Sequence, residues 1–308
     1  MSLATLARPR TPAQPGPGPM PEGILRALDI TVGRRVSGLL QGDYRSSALG
    51  PGTELAQIRP YEPGDDVRLI DWNVTARMLE PHVRVHVAER ILTTWLVLDT
   101  SPSMTFGTAD RRKADVAEGV AIAVGHVATR RGNNLGIVSF GAGQPSVTPP
   151  AQGRTGLLGL LNALRLDHPS NGDGSSLGPA LQTASRLARW SRLIVVVSDF
   201  RGPRDWELPL LELGARHAVL CVEVRDPREQ ELPNVGEMWM VDPETGRRLR
   251  VDTSRKGLRT RFAAAAAEER AAVTAAIGRS TAQHVVLSTA GDWLKSFVGA
   301  VSTKGVRR

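Results

Sequence analysis

Residues 93–104 read TTWLVLDTSPSM and residues 192–202 read RLIVVVSDFRG, and these two stretches decide the fold. Each is a run of apolar, largely β-branched residues that ends on an aspartate, Asp99 in the first and Asp199 in the second. A strand that is apolar at every position has no solvated face, which predicts burial on both sides, as in a parallel sheet covered by helices. Working outward, comparable runs fall at 135–140, 218–224 and 284–288. Helical stretches lie between the runs at about 111–131, 157–166, 177–190, 206–216 and 258–278. This alternation predicts an α/β fold, a doubly wound, mostly parallel sheet. In such sheets ligands bind outside the carboxyl ends of the strands, so Asp99 and Asp199 are expected on one functional rim.

The flanking regions read differently. Residues 1–21 hold six prolines and little to bury, which predicts a disordered tail. Residues 22–90 are expected to form a smaller unit, a helix followed by a β-containing segment. Within it His82-Val83-Arg84-Val85-His86-Val87 alternates, predicting a strand with its valines on one face and both histidines toward solvent. Residues 91–308 carry the main domain. Met238–Met240 and Arg248–Val251, joined by DPETG, predict a hairpin inserted before the long alanine-rich helix.

Composition limits the function classes. The net charge of +8 and pI near 10.6 admit a nucleic-acid or acidic-membrane partner. However, only four of the 39 basic residues are lysine and Ala, Gly, Pro and Arg are all abundant, the mark of a GC-rich coding bias. The single cysteine, Cys221, sits in an apolar run and cannot form an internal disulfide, which suits a reducing compartment. No apolar run approaches the roughly 20 residues of a bilayer span. The expectation is a soluble, cytoplasmic protein.

Ser101 and Ser103 follow Asp99 at a spacing of two, so an extended turn points all three side chains the same way while Thr100 and Pro102 face elsewhere. A hard divalent cation takes about six oxygens, commonly a few carboxylates with hydroxyls and water. Asp99, Ser101, Ser103 and Asp199 supply such a set. The loop NGDGSSLGPAL adds Ser175 and Ser176 just ahead of a helix that they are placed to cap.

This arrangement resembles the DxSxS, Thr and Asp pattern of von Willebrand factor A domains: Asp99, Ser101 and Ser103 match its first element, Ser175 its second and Asp199 its third, with serine where the pattern usually has threonine. The resemblance implies a metal-ion-dependent adhesion site holding Mg2+ or Mn2+. In it the hydroxyls ligate directly, the aspartates act mostly through water, and one position stays open to a partner's carboxylate. From residue 42 onward the chain is similar to the bacterial domain-of-unknown-function family fifty-eight. The segments that carry this likeness are GDYRSSALGPGTELAQIRPYEPGDDVRLIDWNVTARM, LDTSPSMTFG, SDFRG, DPREQELPNVG and DPETGRRLRVDT. That similarity implies a von Willebrand factor A-like domain behind an N-terminal β segment, and partnership with a MoxR-type AAA+ ATPase and its clients.

Plainer readings stand beside these. DxSxS alone is ordinary turn composition. YEPGDDVRLIDW reads either as a functional surface or as a Pro-Gly turn with a buried Trp72 and an Arg-Asp pair. The basic run Arg247, Arg248, Arg250, Arg255, Lys256, Arg259 and Arg261 reads as a solvated hairpin and helix start or as a phosphate-binding patch. Asp226, Arg228 and Glu229 reach the rim of Asp199 or tie down their own loop. No GxSxG or P-loop sequence occurs, and Cys221 lies within a strand. The reading is therefore a metal-dependent protein-interaction module, not an enzyme; the alternatives are a nucleic-acid-binding protein with an Arg-rich surface and a metal-dependent hydrolase.

Overall fold

The computed structural model describes residues 12–29, 49–87, 93–130, 133–141, 143–165, 176–188, 191–242 and 246–303. Residues 12–29 fall into one compact unit with residues 93–303, and residues 49–87 belong to a second.

The larger unit is built on six strands: β3 (Thr93–Asp99), β4 (Asn134–Phe140), β5 (Ser146–Gln152), β6 (Ser191–Ser198), β7 (Ala218–Arg225) and β10 (Gln283–Ser288). Their order across the sheet is β10-β7-β6-β3-β4-β5, with every pair parallel except β4 and β5. The chain leaves β3 for β4 on one side and returns to β6 on the other, so the crevice between β3 and β6 is the topological switch point of a doubly wound sheet. Asp99 ends β3, and Asp199 follows the last residue of β6.

Alternation along the strands feeds two cores. Leu96 and Leu98 of β3 and Val195 and Val197 of β6 pack against α3 (Lys113–Arg130), α4 (Gly153–Arg165) and α8 (Trp293–Thr303). Trp95, Val97, Ile194 and Val196 face α5 (Leu177–Leu187), α6 (Glu207–Arg216) and α7 (Lys256–Arg279). Both faces are dry, which is why these strands read as unbroken apolar runs. At Gly119 of α3 an added Cβ would lie 2.3 Å from the Trp293 ring, so a side chain there would force α8 away. The hairpin strands β8 (Glu237–Val241) and β9 (Arg248–Asp252) pair as expected, while positions 243–245 of the turn lie outside the described residues.

The N-terminal expectations need correction. Residues 12–21 are not a free tail: Arg111 donates from Nη1 to the carbonyls of Gln14 (3.0 Å) and Gly16 (2.6 Å), and Trp293 Nε1 donates to the Pro17 carbonyl at 2.9 Å. The helix that follows, α1 (residues 22–29), buries Leu25 and Leu28 in the larger unit's core, so it does not belong with the β segment. Positions 1–11 of the expected tail and 30–40 of the expected helix lie outside the described residues.

In the smaller unit β1 (Leu49–Pro60) pairs antiparallel with β2 (His82–Val87) around α2 (Trp72–Met78). Asp71 caps α2 by accepting from the amides of Asn73 and Val74, and it pairs with Arg84 at 2.8 Å. Arg59 grips Asp65 with two parallel bonds of 2.7 and 2.8 Å, which holds that carboxyl below the usual range. Both pairs draw their arginine from outside YEPGDDVRLIDW and not from its own Arg68, and Trp72 is 71% exposed instead of buried, because the cap places it on the outer face of the first turn. His82 is buried, its Nδ1 donating to the Glu80 carbonyl at 2.8 Å, so it does not face solvent as the alternation predicts.

Candidate functional site

The site forms where β3 and β6 end. Beyond Asp99 the backbone turns at once: the Thr100 amide and hydroxyl both donate to the Phe140 carbonyl, at 2.7 and 2.8 Å, which aims Thr100 at β4 and away from the rim. Ser101 and Ser103 therefore point back toward Asp99. Ser101 N donates to Asp99 Oδ1 at 2.9 Å, and the two serine Oγ atoms are 3.0 Å apart. Gly141 makes this turn possible: an added Cβ would sit 2.4 Å from the Ser101 nitrogen, and its φ of +149° is one that side-chain-bearing residues rarely adopt.

On the β6 side, Ser198 Oγ donates to Asp99 Oδ2 at 2.5 Å and accepts from the Phe200 amide at 3.0 Å. Phe200 is left-handed (φ 54°), a costly conformation for an aromatic residue. It is held there by burial of its ring edge-to-face on Trp206, with centroids 5.3 Å apart. The resulting turn lets Asp199 Oδ1 accept from Arg201 N at 2.9 Å.

Asp99, Ser101, Ser103 and Asp199 are all nearly inaccessible. Burial, reinforced by the Asp199 charge, pushes the Asp99 carboxyl up to about 7 despite its bonds from Ser101 and Ser198. The two serine hydroxyls share a hydrogen bond, and their 3.0 Å separation is also the edge of an octahedron of oxygens about 2.1 Å from its centre. Among the described residues no group of three or more His, Cys, Asp or Glu side chains gathers as a metal-binding set, so an ion on this rim would be held largely by hydroxyls.

Ser175 lies outside the described residues. Its neighbour Ser176 stands at the N-cap of α5 but makes no capping bond. It donates to Asp205 at 2.5 Å, and Asp205 itself accepts the Gly178 amide at 3.3 Å. The acceptor at this helix start is therefore a carboxylate from a different loop.

Sequence reasoning missed Lys113. Its side chain is fully buried at the first position of α3, and Nζ donates to Asp199 Oδ2 at 2.5 Å and to Glu229 Oε1 at 2.7 Å. Burial alone would lower its pKa, but the charges of Asp199 and Glu229 outweigh burial and raise it, so the ammonium is a fixed cation. A signal was present in the sequence: a lysine at the first position of a helix has the wrong sign for the helix dipole, and so calls for acidic partners. Glu229 fulfils one of the readings offered for its segment, reaching the rim through Lys113 and through Arg201 at 2.8 Å. Asp226 follows the other: fully buried, it accepts from Thr108 N, Thr108 Oγ1, Thr289 Oγ1 and Arg228 N, bonds that outweigh burial and hold its carboxyl low.

Three residues of the basic run have local partners, and the run as a whole is exposed. Arg250 pairs with Glu237, Arg255 with Asp252 at 3.2 Å, and Arg259 donates to the carbonyls of Thr253 and Ser254. Among the described residues no helix is long and apolar enough to cross a membrane.

The chain is similar to an uncharacterized protein of Mycobacterium tuberculosis (strain H37Rv), 40% identical over 284 residues covering 91% of this chain and 88% of that one. A Mycobacterium avium protein, also uncharacterized, is 39% identical over 130 residues, 42% of this chain and 75% of its own. Among solved structures, BatB of Bacteroides thetaiotaomicron superposes with a TM-score of 0.44 at 16% identity, over 68% of this chain and 97% of BatB. The VWA domain of SpRpn10 superposes with 0.39 at 16% identity, over 71% and 100%. The model of one family matches residues 57–272, and the chain belongs to that family, described as Protein of unknown function DUF58.

Proposed function

We propose that this protein is a non-enzymatic interaction module that docks a partner at the rim formed by Asp99, Ser101, Ser103 and Asp199. The observation that carries this reading is the pair of serine hydroxyls 3.0 Å apart beside a buried carboxylate whose pKa burial and a second carboxylate have raised. The donor set suits Mg2+ or Mn2+, with Ser101 and Ser103 as direct ligands, Asp99 and Asp199 behind them, and Ser175 as a further hydroxyl. The ion would supply an electrophilic position for a carboxylate of the partner. Lys113 already matches the charge of Asp199, so an entering ion meets one compensated carboxylate instead of two bare ones, which favours modest, reversible metal affinity. Against enzymatic use of the only thiol stands the burial of Cys221 in β7, which pushes its pKa far up. Against nucleic acid stands the pairing of Arg250 with Glu237 and of Arg255 with Asp252.

The partner that the family resemblance implies is a MoxR-type AAA+ ATPase. The test is binding of the purified chain to the ATPase from its own genome, with Mg2+ and then with EDTA. Binding that needs the divalent ion and disappears in Ser101→Ala, with the fold intact by circular dichroism, is the expected result. Undiminished binding in EDTA refutes the metal-bridged reading.

A further inference from the structure

The six-stranded sheet has two edges, and only one is guarded. β5 carries Pro149 and Pro150, which deny an incoming strand the N–H groups that pairing needs. β10, at the other end, reads Gln283-His284-Val285-Val286-Leu287-Ser288, with no proline, no lysine and no carboxylate. A parallel ladder engages alternate residues of each strand. The Thr289 amide donates to the Arg225 carbonyl at 2.9 Å, which puts residues 285 and 287 in the same set, bonded to β7. Val286, between them, aims its N–H and C=O away from the sheet, and among the described residues no strand takes them up. Its side chain is 43% exposed, although Val285 and Leu287 are each 1% exposed.

An occupant of this edge must offer backbone groups at strand spacing, a neutral face and an apolar side chain for Val286. β10 of a second copy, run antiparallel about Val286, meets all three. Val286 then lies opposite its twin and His284 opposite the second copy's Ser288, so no like charges meet, and the His284 ring stays on Glu223 of its own chain at 2.8 Å. The neighbouring helix leaves room. Glu269 and Arg279 of α7 pair with Arg204 and Glu207, which marks the side of α7 that faces α6. The opposite side, toward the β10 edge, presents Ala267, Ala271, Thr274 and Gly278, all exposed and small enough for two copies of α7 to pass close together. We propose that the protein forms a two-fold dimer by antiparallel pairing of β10 with β10 of a second copy, which makes one continuous sheet. The two-fold closes the assembly, and because the paired strands run oppositely, it sets the two Asp99 rims at opposite ends, clear of each other.

Analytical sedimentation or light scattering of the full chain checks this. At about 100 μM the wild type should have twice the chain's 33.1 kDa mass, and EDTA should change nothing, because no rim residue takes part. Val286→Lys places like charges at the centre of the pairing and should weaken the dimer about tenfold or more, with the fold intact by circular dichroism, since the position is half-exposed. Val286→Pro removes only an N–H that β7 does not use and should do the same. An equal mixture of Val286→Lys and Val286→Glu should recover the dimer, because opposite charges then face each other across the two-fold. That recovery separates direct pairing from a remote effect on the fold. A monomeric wild type overturns the proposal and leaves the edge to a strand of another protein. A dimer unchanged in any folded variant, a dimer lost in EDTA, an open-ended oligomer, or no recovery in the mixture overturns it as well.

Discussion

Replacing Lys113 by methionine keeps the length of the side chain and removes its charge. The ammonium is wholly enclosed, Asp199 is 1% exposed and Glu229 12% exposed, so solvent cannot substitute for the lost partner. Breaking a buried ion pair by deleting one member typically costs about 3–5 kcal/mol, because the other charge stays dehydrated and unpaired. Here the penalty falls on Asp199, which already lies within electrostatic reach of Asp99. For a unit of this size roughly 2–4 °C of melting temperature accompany each kcal/mol, so Lys113→Met should melt about 6–20 °C below wild type. Glu229→Gln should lose less, about 1–2 kcal/mol, since Lys113 keeps its bond to Asp199 and Arg201 is half in solvent. The double variant Lys113→Met/Asp199→Leu removes both charges and should recover much of the loss. Urea unfolding of the four proteins checks this. A single variant within about 1 kcal/mol of wild type, or a double variant no better than the single, would refute the claim that Lys113 is the structural counter-ion of the rim.

Asp99→Asn tests the raised carboxyl. In the folded chain Asp99 keeps its proton up to about pH 7, whereas in the unfolded chain it loses it near 3.8. Its contribution to stability therefore falls as pH rises from about 4 to about 7 and is level above that, with a cost of about 4 kcal/mol at most. Asn should flatten that part of the stability profile in metal-free buffer and match or exceed wild type at pH 8. Asp226→Ala strips four donors of their acceptor and should cost about 3 kcal/mol or more at pH 7, read by urea unfolding. Because its carboxyl is held low, the wild-type stabilisation from Asp226 is present above pH 3.8 and fades as pH falls through its depressed folded value. Gly141→Ala should displace the Ser101 turn: chemical-shift changes concentrated at residues 99–103, with weakened Mg2+ binding, are expected, and an unperturbed spectrum would show that the close approach is not needed.

The parts of the fold legible in the sequence are those with no solvated side. The TTWLVLD and LIVVVSD runs are dry on both faces, so they announce themselves, and with them the strand-end aspartates. The antiparallel edge strand β5 does not, because Ser146–Gln152 is mostly exposed and holds two prolines, which an edge tolerates but propensity rejects. Helix α8 follows the last strand, where the alternation of strand and helix gives no further signal. Trp72 misled because aromatic bulk argues for burial, whereas the Asp71 cap fixed its position in the helix. At the site, Asp99, Ser101 and Ser103 are marked by their local spacing, although the turn that gathers them also uses Phe140 and Gly141 from the end of β4. Lys113 and Asp205 reach it from separate helices and loops, and contacts of that kind leave only indirect marks, such as a cation at the wrong end of a helix.

The docking of residues 12–20 has a consequence beyond stability. Proline lacks an amide proton, so a segment with Pro12, Pro15, Pro17 and Pro19 offers carbonyls without matching donors of its own. Arg111 and Trp293 supply those donors, so the body of the protein holds the segment through its carbonyls. A tethered peptide competes at an effective concentration of about millimolar. A free peptide of the same sequence would need to reach that range to displace it, and its appearance on Arg111 would be reported by the indole resonance of Trp293.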